Sequence, residues 1–209
     1  MTAELAETGK NFITLAQAKR SRSIGAYRDE LEAHGRLTDV VAESVDKAVA
    51  VRAGNRLLWY LAGPLTGMDE PTKRRYVDLS ELIAIHDSPV SMFGYAPHAH
   101  GTDPIKHPDV TPAEVRDIDY LWSTVVADGH FNCLHPMGHG NAIEEGWAEE
   151  AGIPSVYLVP QDMQLSRLVL GMRNVVGTVR YDSFEADGLA QVDTLLEGIS
   201  AQYTQAFDQ

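Results

Sequence analysis

Glu144, in the run Gly140-Asn141-Ala142-Ile143-Glu144-Glu145-Gly146-Trp147-Ala148, carries the clearest chemical signal in this chain. It follows a loop rich in Gly, His and Pro. It opens a segment whose pattern predicts a helix over Ala142 to Ala151, stopped by Gly152. A carboxylate so placed is a candidate nucleophile or base. The plainer explanation, a first-turn acid favoured by the helix dipole, is the one expected for Glu145. A second segment, Trp59-Tyr60-Leu61-Ala62-Gly63-Pro64-Leu65-Thr66-Gly67, reads as a buried strand entering a tight turn. Two strand-to-loop-to-helix turns in one small domain build a ligand crevice.

His98, His100, His107, His130, His135 and His139 crowd the loops. A metal site needs converging ligands and a supporting shell, so loop solvation is the default for each, with a base-contacting or leaving-group role open for one such as His98. Cys133 is the only cysteine, which excludes an intrachain disulfide and a Cys-based zinc site and suits a reducing cytoplasm. Nothing basic adjoins it in sequence to lower its pKa. No full Walker A or Gly-x-Gly-x-x-Gly pattern occurs.

These residues need a frame. Residues 1–54 are predicted to be helical and polar, broken near His34-Gly35-Arg36, with Leu31, Leu37, Val40, Val41, Val45, Ala48 and Val49 at roughly helical spacing. Beyond them, strands are predicted over Arg56–Ala62, Pro89–Ala96, Thr124–Ala127, Ser155–Val159 and Val175–Tyr181. Helices are predicted over Pro71–His86, Pro112–Trp122, Ala142–Ala151, Leu165–Met172 and Ala186–Phe207. The alternation predicts an α/β, Rossmann-like, doubly wound, mainly parallel sheet of about five strands with helices on both faces. The division is a helical N-terminal extension, 1–54, and a Rossmann-like domain, 55–209. Ligands of such sheets bind outside the carboxyl ends of the strands. Both candidate segments fall on that rim.

Composition narrows the partners. A chain of 209 residues, 44% hydrophobic and 22% charged, is long enough for a sizeable core. A net charge of −13 argues against a nucleic-acid groove or an anionic membrane surface. A small anionic ligand stays possible, because helix N-termini bind phosphate in acidic proteins too. The basic run Lys19-Arg20-Ser21-Arg22 is expected to be a solvated helix face or arm. No stretch of about 18 apolar residues exists to span a membrane. The segment Met1-Thr2-Ala3-Glu4-Leu5 lacks signal-peptide order.

Tyr60-Leu61-Ala62-Gly63-Pro64, Tyr95-Ala96-Pro97-His98, an Asp before the third strand, and Gly140 to Ala148 with Gly152-Ile153-Pro154 together resemble the nucleoside 2-deoxyribosyltransferase superfamily. The likeness is greatest to its nucleoside 5′-monophosphate N-glycosidases of the CMP and hydroxymethyl-CMP hydrolase type, and Leu165 to Met172 supports the hydrolase side. It covers about residues 56–182. It implies cleavage of an N-glycosidic bond in a nucleoside or its 5′-monophosphate, without cofactor or metal, in a homo-oligomer with shared active sites. Glu144 takes the place of the carboxylate that engages C1′ of the sugar as the base departs, where oxocarbenium character builds. The assisting acid falls on Asp117, with Asp119 as its neighbouring alternative, and Asp128 is a third candidate. The substrate-binding set is Gly63, Pro64, Thr66, His98, Gly138, Gly140, Asn141 and Ser166, the last reaching a neighbouring subunit's phosphate.

The chain departs from the family in places. Gly138 stands where an Asp or Ser is common, and the first loop offers Thr66, Lys73 or Arg74 for a phosphate without a matching motif. Base exchange between nucleosides stays open beside hydrolysis. So does a cytokinin-type phosphoribohydrolase, whose Gly-rich loop resembles Pro136 to Glu145 with spacing off by one. A non-catalytic nucleotide sensor, with residues 1–54 as its partner-binding module, is the alternative from another class.

Overall fold

Six consecutive buried residues, Leu57-Leu58-Trp59-Tyr60-Leu61-Ala62, form a strand covered on both sides, as the central strands of parallel sheets are. In the computed structural model this strand lies within a five-stranded, all-parallel sheet. The structure describes residues 3–18, 23–54, 57–63, 68–85, 92–100, 102–103, 106–134 and 138–207. In chain order the elements are α1 (Ala3–Ala18), α2 (Ile24–Ala33), α3 (Asp39–Ala53), β1 (Leu57–Ala62), α4 (Glu70–Ile85), β2 (Met92–Tyr95) and α5 (Pro112–Tyr120). There follow β3 (Gly129–Cys133), α6 (His139–Ala151), β4 (Ser155–Pro160), α7 (Arg167–Leu170), β5 (Val175–Tyr181) and α8 (Leu189–Phe207).

The strand order is β2-β1-β3-β4-β5. The chain therefore winds outward in both directions from the β1/β3 boundary. That boundary is the switch point outside which ligands of open α/β sheets bind. Successive residues of β1 serve opposite cores. Leu57, Trp59 and Leu61 pack with Tyr76 and Leu79 of α4 and with Val192 and Leu195 of α8. Leu58, Tyr60 and Ala62 pack with Ile118, Trp122 and Ala148 on the other face. The Rossmann-like architecture expected from the alternation is the one observed.

One strand lies elsewhere than the pattern predicts. The segment predicted as the third strand, Thr124–Ala127, is not a strand. Leu121–Val126 continues α5 as a π-helical segment with every residue buried. The third strand is Gly129-His130-Phe131-Asn132-Cys133, within what reads as a loop. Its polar residues are paired inside: the His130 ring N–H donates to Ser123 O (2.7 Å), and Asn132 Nδ2 to Glu145 Oε2 (2.8 Å).

The N-terminal region forms three helices, one of its breaks at the expected His34-Gly35. It does not stand apart. Leu5 of α1 belongs to the α8 core, and α1 lies on β5, where a Cβ on Gly177 would come within 2.1 Å of Thr8 Oγ1. Tyr27, Leu31, Val41, Val45 and Ala48 of α2 and α3 complete the opposite core. Val40 and Val49, expected on the apolar face, are exposed. Among the described residues, no helix is long and apolar enough to cross a membrane.

Candidate active site

Glu144 is held from its own helix upward. α6 begins at His139, so Glu144 lies in its second turn rather than its first. Asn141 fastens the start of the helix: its Oδ1 accepts from Gly138 N (2.9 Å), and its Nδ2 donates to Cys133 O (3.1 Å) at the end of β3. Asn141, Glu144, Glu145 and Ala148 share the buried face at the i, i+3, i+4, i+7 spacing.

The Glu144 side chain faces β1. Tyr60, fully buried, donates its hydroxyl to Glu144 Oε1 (2.8 Å), while Oε2 is enclosed with no hydrogen-bond partner among the described residues. Burial pushes the Glu144 carboxyl up to about 7, opposed by the Tyr60 hydrogen bond and reinforced by Glu145. Asp119, on the last turn of α5, is the second acid. Burial raises its pKa well above the carboxylate range, the Glu144 charge raises it further, and Thr102 opposes the rise. The Thr102 contact is too loose for a formed hydrogen bond, since Thr102 Oγ1 and Asp119 Oδ1 are both enclosed and unpartnered among the described residues. The Tyr95 hydroxyl is a further enclosed, unpartnered polar atom. Burial and the charges of Asp119 and Glu144 raise both the Tyr60 and Tyr95 hydroxyls, so each stays a proton donor.

These groups form one cluster. Glu144 Oε2, Asp119 Oδ1, Thr102 Oγ1 and Tyr95 Oη are each enclosed polar atoms without a partner among the described residues, an arrangement that calls for a ligand or a functional explanation. Two carboxyls of raised pKa that oppose each other's ionisation can hold one proton between them. Aromatic rings wall them in. Tyr60 and Tyr95 stack at 5.8 Å, Tyr95 stacks on Trp122 at 4.2 Å, and Tyr95 stacks on His100 at 4.6 Å. The His100 ring N–H donates to Ala96 O (2.7 Å), and burial lowers its pKa, so the ring is neutral at ordinary pH.

The other expected acids lie in ion pairs. Asp117 is buried and faces away from Glu144. It accepts from Arg36 Nε (2.9 Å), Arg36 Nη2 and Arg116 Nη1 (2.7 Å). Asp128 accepts from Arg52 Nη1 (2.7 Å) and Nη2 (3.0 Å) and from Leu58 N (2.9 Å), tying α3 to the start of β1. Both are held by arginines, Asp117 by Arg36 of the turn between α2 and α3 and by Arg116 of α5, and Asp128 by Arg52 of α3. Asp119, the neighbouring alternative, is the acid that meets Glu144.

Gly63 ends β1, and a Cβ there would come within 2.1 Å of Tyr76 Oη, so the residue leaves room for a core ring. Gly138 precedes α6, and Gly140 is exposed in its first turn with open space around it. Ser166 caps α7, accepting from Val169 N (3.2 Å), and no described contact joins it to Glu144. Pro64 and Thr66 lie outside the described residues, as does the side chain of His98. Glu145 is not a surface acid. It is buried and accepts from Asn132, Ser155 (3.0 Å) and Asn174 (3.0 Å). A cleft of about 290 Å³ opens beside it toward Tyr157 and Met172. Cys133 is buried and its thiol is pushed up to about 12, which keeps it protonated. No group of three His, Cys, Asp or Glu side chains able to hold a metal ion occurs among the described residues. Sequence reasoning named neither Thr102 nor Tyr95 as a site residue, although Tyr95 stands in the Tyr95-to-His98 motif; the β1–β2 register, which pairs Tyr60 with Tyr95, brings Tyr95 beside Glu144.

No family model and no curated protein matches the chain. Among solved structures it is similar to a conserved protein from Enterococcus faecalis V583, at 20% identity and a TM-score of 0.46, over 68% of this chain and 97% of that one.

Proposed function

We propose that this protein is an N-glycosidase of the nucleoside 2-deoxyribosyltransferase kind, cleaving the N-glycosidic bond of a nucleoside or nucleoside 5′-monophosphate. The observation that carries the proposal is the Glu144–Asp119 pair, enclosed beside the carboxyl end of β1 with one oxygen of each carboxyl unpartnered among the described residues. The Tyr60 hydrogen bond holds Glu144 by Oε1 and leaves Oε2 for the sugar. In this scheme the ionised Glu144 stabilises or attacks C1′ as the bond's electron pair leaves with the base. Asp119, its proton retained, protonates that base. Water then supplies hydroxide to C1′ and returns the proton to the pair. No cofactor enters the scheme. Oligomerisation belongs to the same proposal: Leu168 and Leu170 on α7 are exposed at 83% and 66%, and light scattering tests whether a second copy covers them.

The experiment is a chromatographic screen for free base, over ribo- and deoxyribonucleosides and their 5′-monophosphates. The expected outcome is release that falls at least about 100-fold in Glu144→Ala, roughly 2.7 kcal/mol of barrier, and by a comparable factor in Asp119→Asn. Release only when a second base is supplied makes the enzyme a transferase. Tight nucleotide binding with no release from any substrate makes it a sensor and overturns the proposal.

A further inference from the structure

We propose that the N-terminal helices and the turn between α2 and α3 are a positioning brace for the acid pair, with Arg36 of that turn as the residue that sets the rotation of α5. The role assigned to Asp119 rests on the N-glycosidase reading; the brace itself does not.

Asp117 and Asp119 are two residues apart on one helix, about 200° around its axis. One therefore faces away from the other. Asp119 points to Glu144, and Asp117 points to the turn between α2 and α3, where Arg36 grips its carboxylate through both Nε and Nη2. A two-point guanidinium–carboxylate contact fixes direction as well as distance. Three more bonds join the same surfaces. Tyr27 donates to Asp117 O (3.1 Å), Thr38 to Glu114 Oε1 (2.7 Å), and Trp122 Nε1 to Ser44 Oγ (2.8 Å). Trp122 also stacks on Tyr95, so the last of these bonds reaches the wall of the site. The tail of α5 most needs such support, because a π-helical turn begins at Leu121, two residues after Asp119. A one-residue change in that register would carry Asp119 about 100° away from Glu144.

The pair is faced by Tyr60 from β1, Tyr95 from β2, Tyr76 from α4, Glu145 from α6 and the Thr102 hydroxyl. None of these belongs to the brace. Loss of Arg36 thus acts on the pair through the placement of Asp119.

The test uses the full-length protein with Arg36→Met, Arg36→Lys and Tyr27→Phe. Arg28→Ala serves as control, since it breaks an exposed pair with Asp46 on the same helices. Each variant is studied at least about 10 °C below its own melting temperature. Two readouts are taken: kcat and KM against pH, and the carboxyl ¹³C titration of Glu144 and Asp119, which needs no turnover. In Arg36→Met, the expected result is a kcat lowered about 10-fold or more with KM changed less than about twofold. The carboxyl titrations should move by about half a pH unit or more. Arg36→Lys and Tyr27→Phe should fall between this variant and the wild type, and Arg28→Ala should match the wild type. Folded Arg36→Met with unchanged titrations, whatever its melting temperature, overturns the brace. A wild type that releases no base defeats the glycosidase reading but leaves the titration to decide the brace.

Discussion

Glu144 weakens the fold at the pH where it would work. In an unfolded chain a glutamate titrates near about 4.3, whereas burial carries Glu144 up to about 7 in the folded protein. Between those values the folded state holds a proton that the unfolded state has released, so stability falls as pH rises through that window. Glu144→Gln keeps the acceptor for Tyr60 and cannot ionise. It should match the wild type at pH 4 and exceed it at pH 8 by about 1–3 kcal/mol, read from urea midpoints. Parallel pH curves for the two proteins would contradict the burial argument. The same residue marks what local sequence can and cannot carry. Its position after a Gly-rich loop is a local signal. That Asp117 lies in an ion pair is not, because its partner Arg36 is 81 residues away in the chain.

At the scale of elements, two glycines that look alike in sequence differ in what surrounds them. A Cβ on Gly63 would fall within 2.2 Å of Tyr76 Cε1 and Cζ as well as its hydroxyl, so no small movement of the ring tip relieves it. Gly63→Ala should cost about 1–3 kcal/mol by overpacking. Gly140 has nothing within 4 Å of its would-be Cβ and lies in the first turn of α6. Gly140→Ala should be neutral or stabilising by up to about 1 kcal/mol. Chemical denaturation of the two variants side by side checks both, and equal effects would mean that Gly140 too is sterically required. The third strand shows why other elements were not legible. Thr124-Val125-Val126-Ala127 has β-branched residues suited to a strand, yet full burial erases periodicity, and Thr124 to Val126 are helical. Gly-His-Phe-Asn-Cys has weak strand propensity, and it is a strand because Ser123, Glu145 and β1 pair its polar groups. Strands β1, β4 and β5 were legible because apolar or alternating patterns bounded by Gly and Pro are local.

At the scale of the molecule, the boundary drawn near residue 54 follows composition and does not follow the core. The face of the sheet that carries Tyr60 is closed by Tyr27, Leu31, Val41, Val45 and Ala48, all fully or nearly fully buried. The ion pairs agree with the packing. The chain has 17 Lys and Arg against 30 Asp and Glu. Even so, Arg36 and Arg52 of the N-terminal region both lie on aspartates of the sheet domain. Removing residues 1–54 would expose that apolar face and leave Asp117, only 2% exposed, with Arg116 alone. Stripping one partner from a buried pair costs about 3–5 kcal/mol, a large part of the stability of a typical domain. Residues 55–209 alone should therefore lack a cooperative thermal transition, and addition of residues 1–54 as a separate chain should restore one. A 55–209 fragment that melts cooperatively within a few degrees of the whole protein would make the N-terminal helices a true appendage, and a partner-binding role for them would regain its footing. Failure of the fragment to fold would mean that the acid pair and the helices behind it form one folding unit.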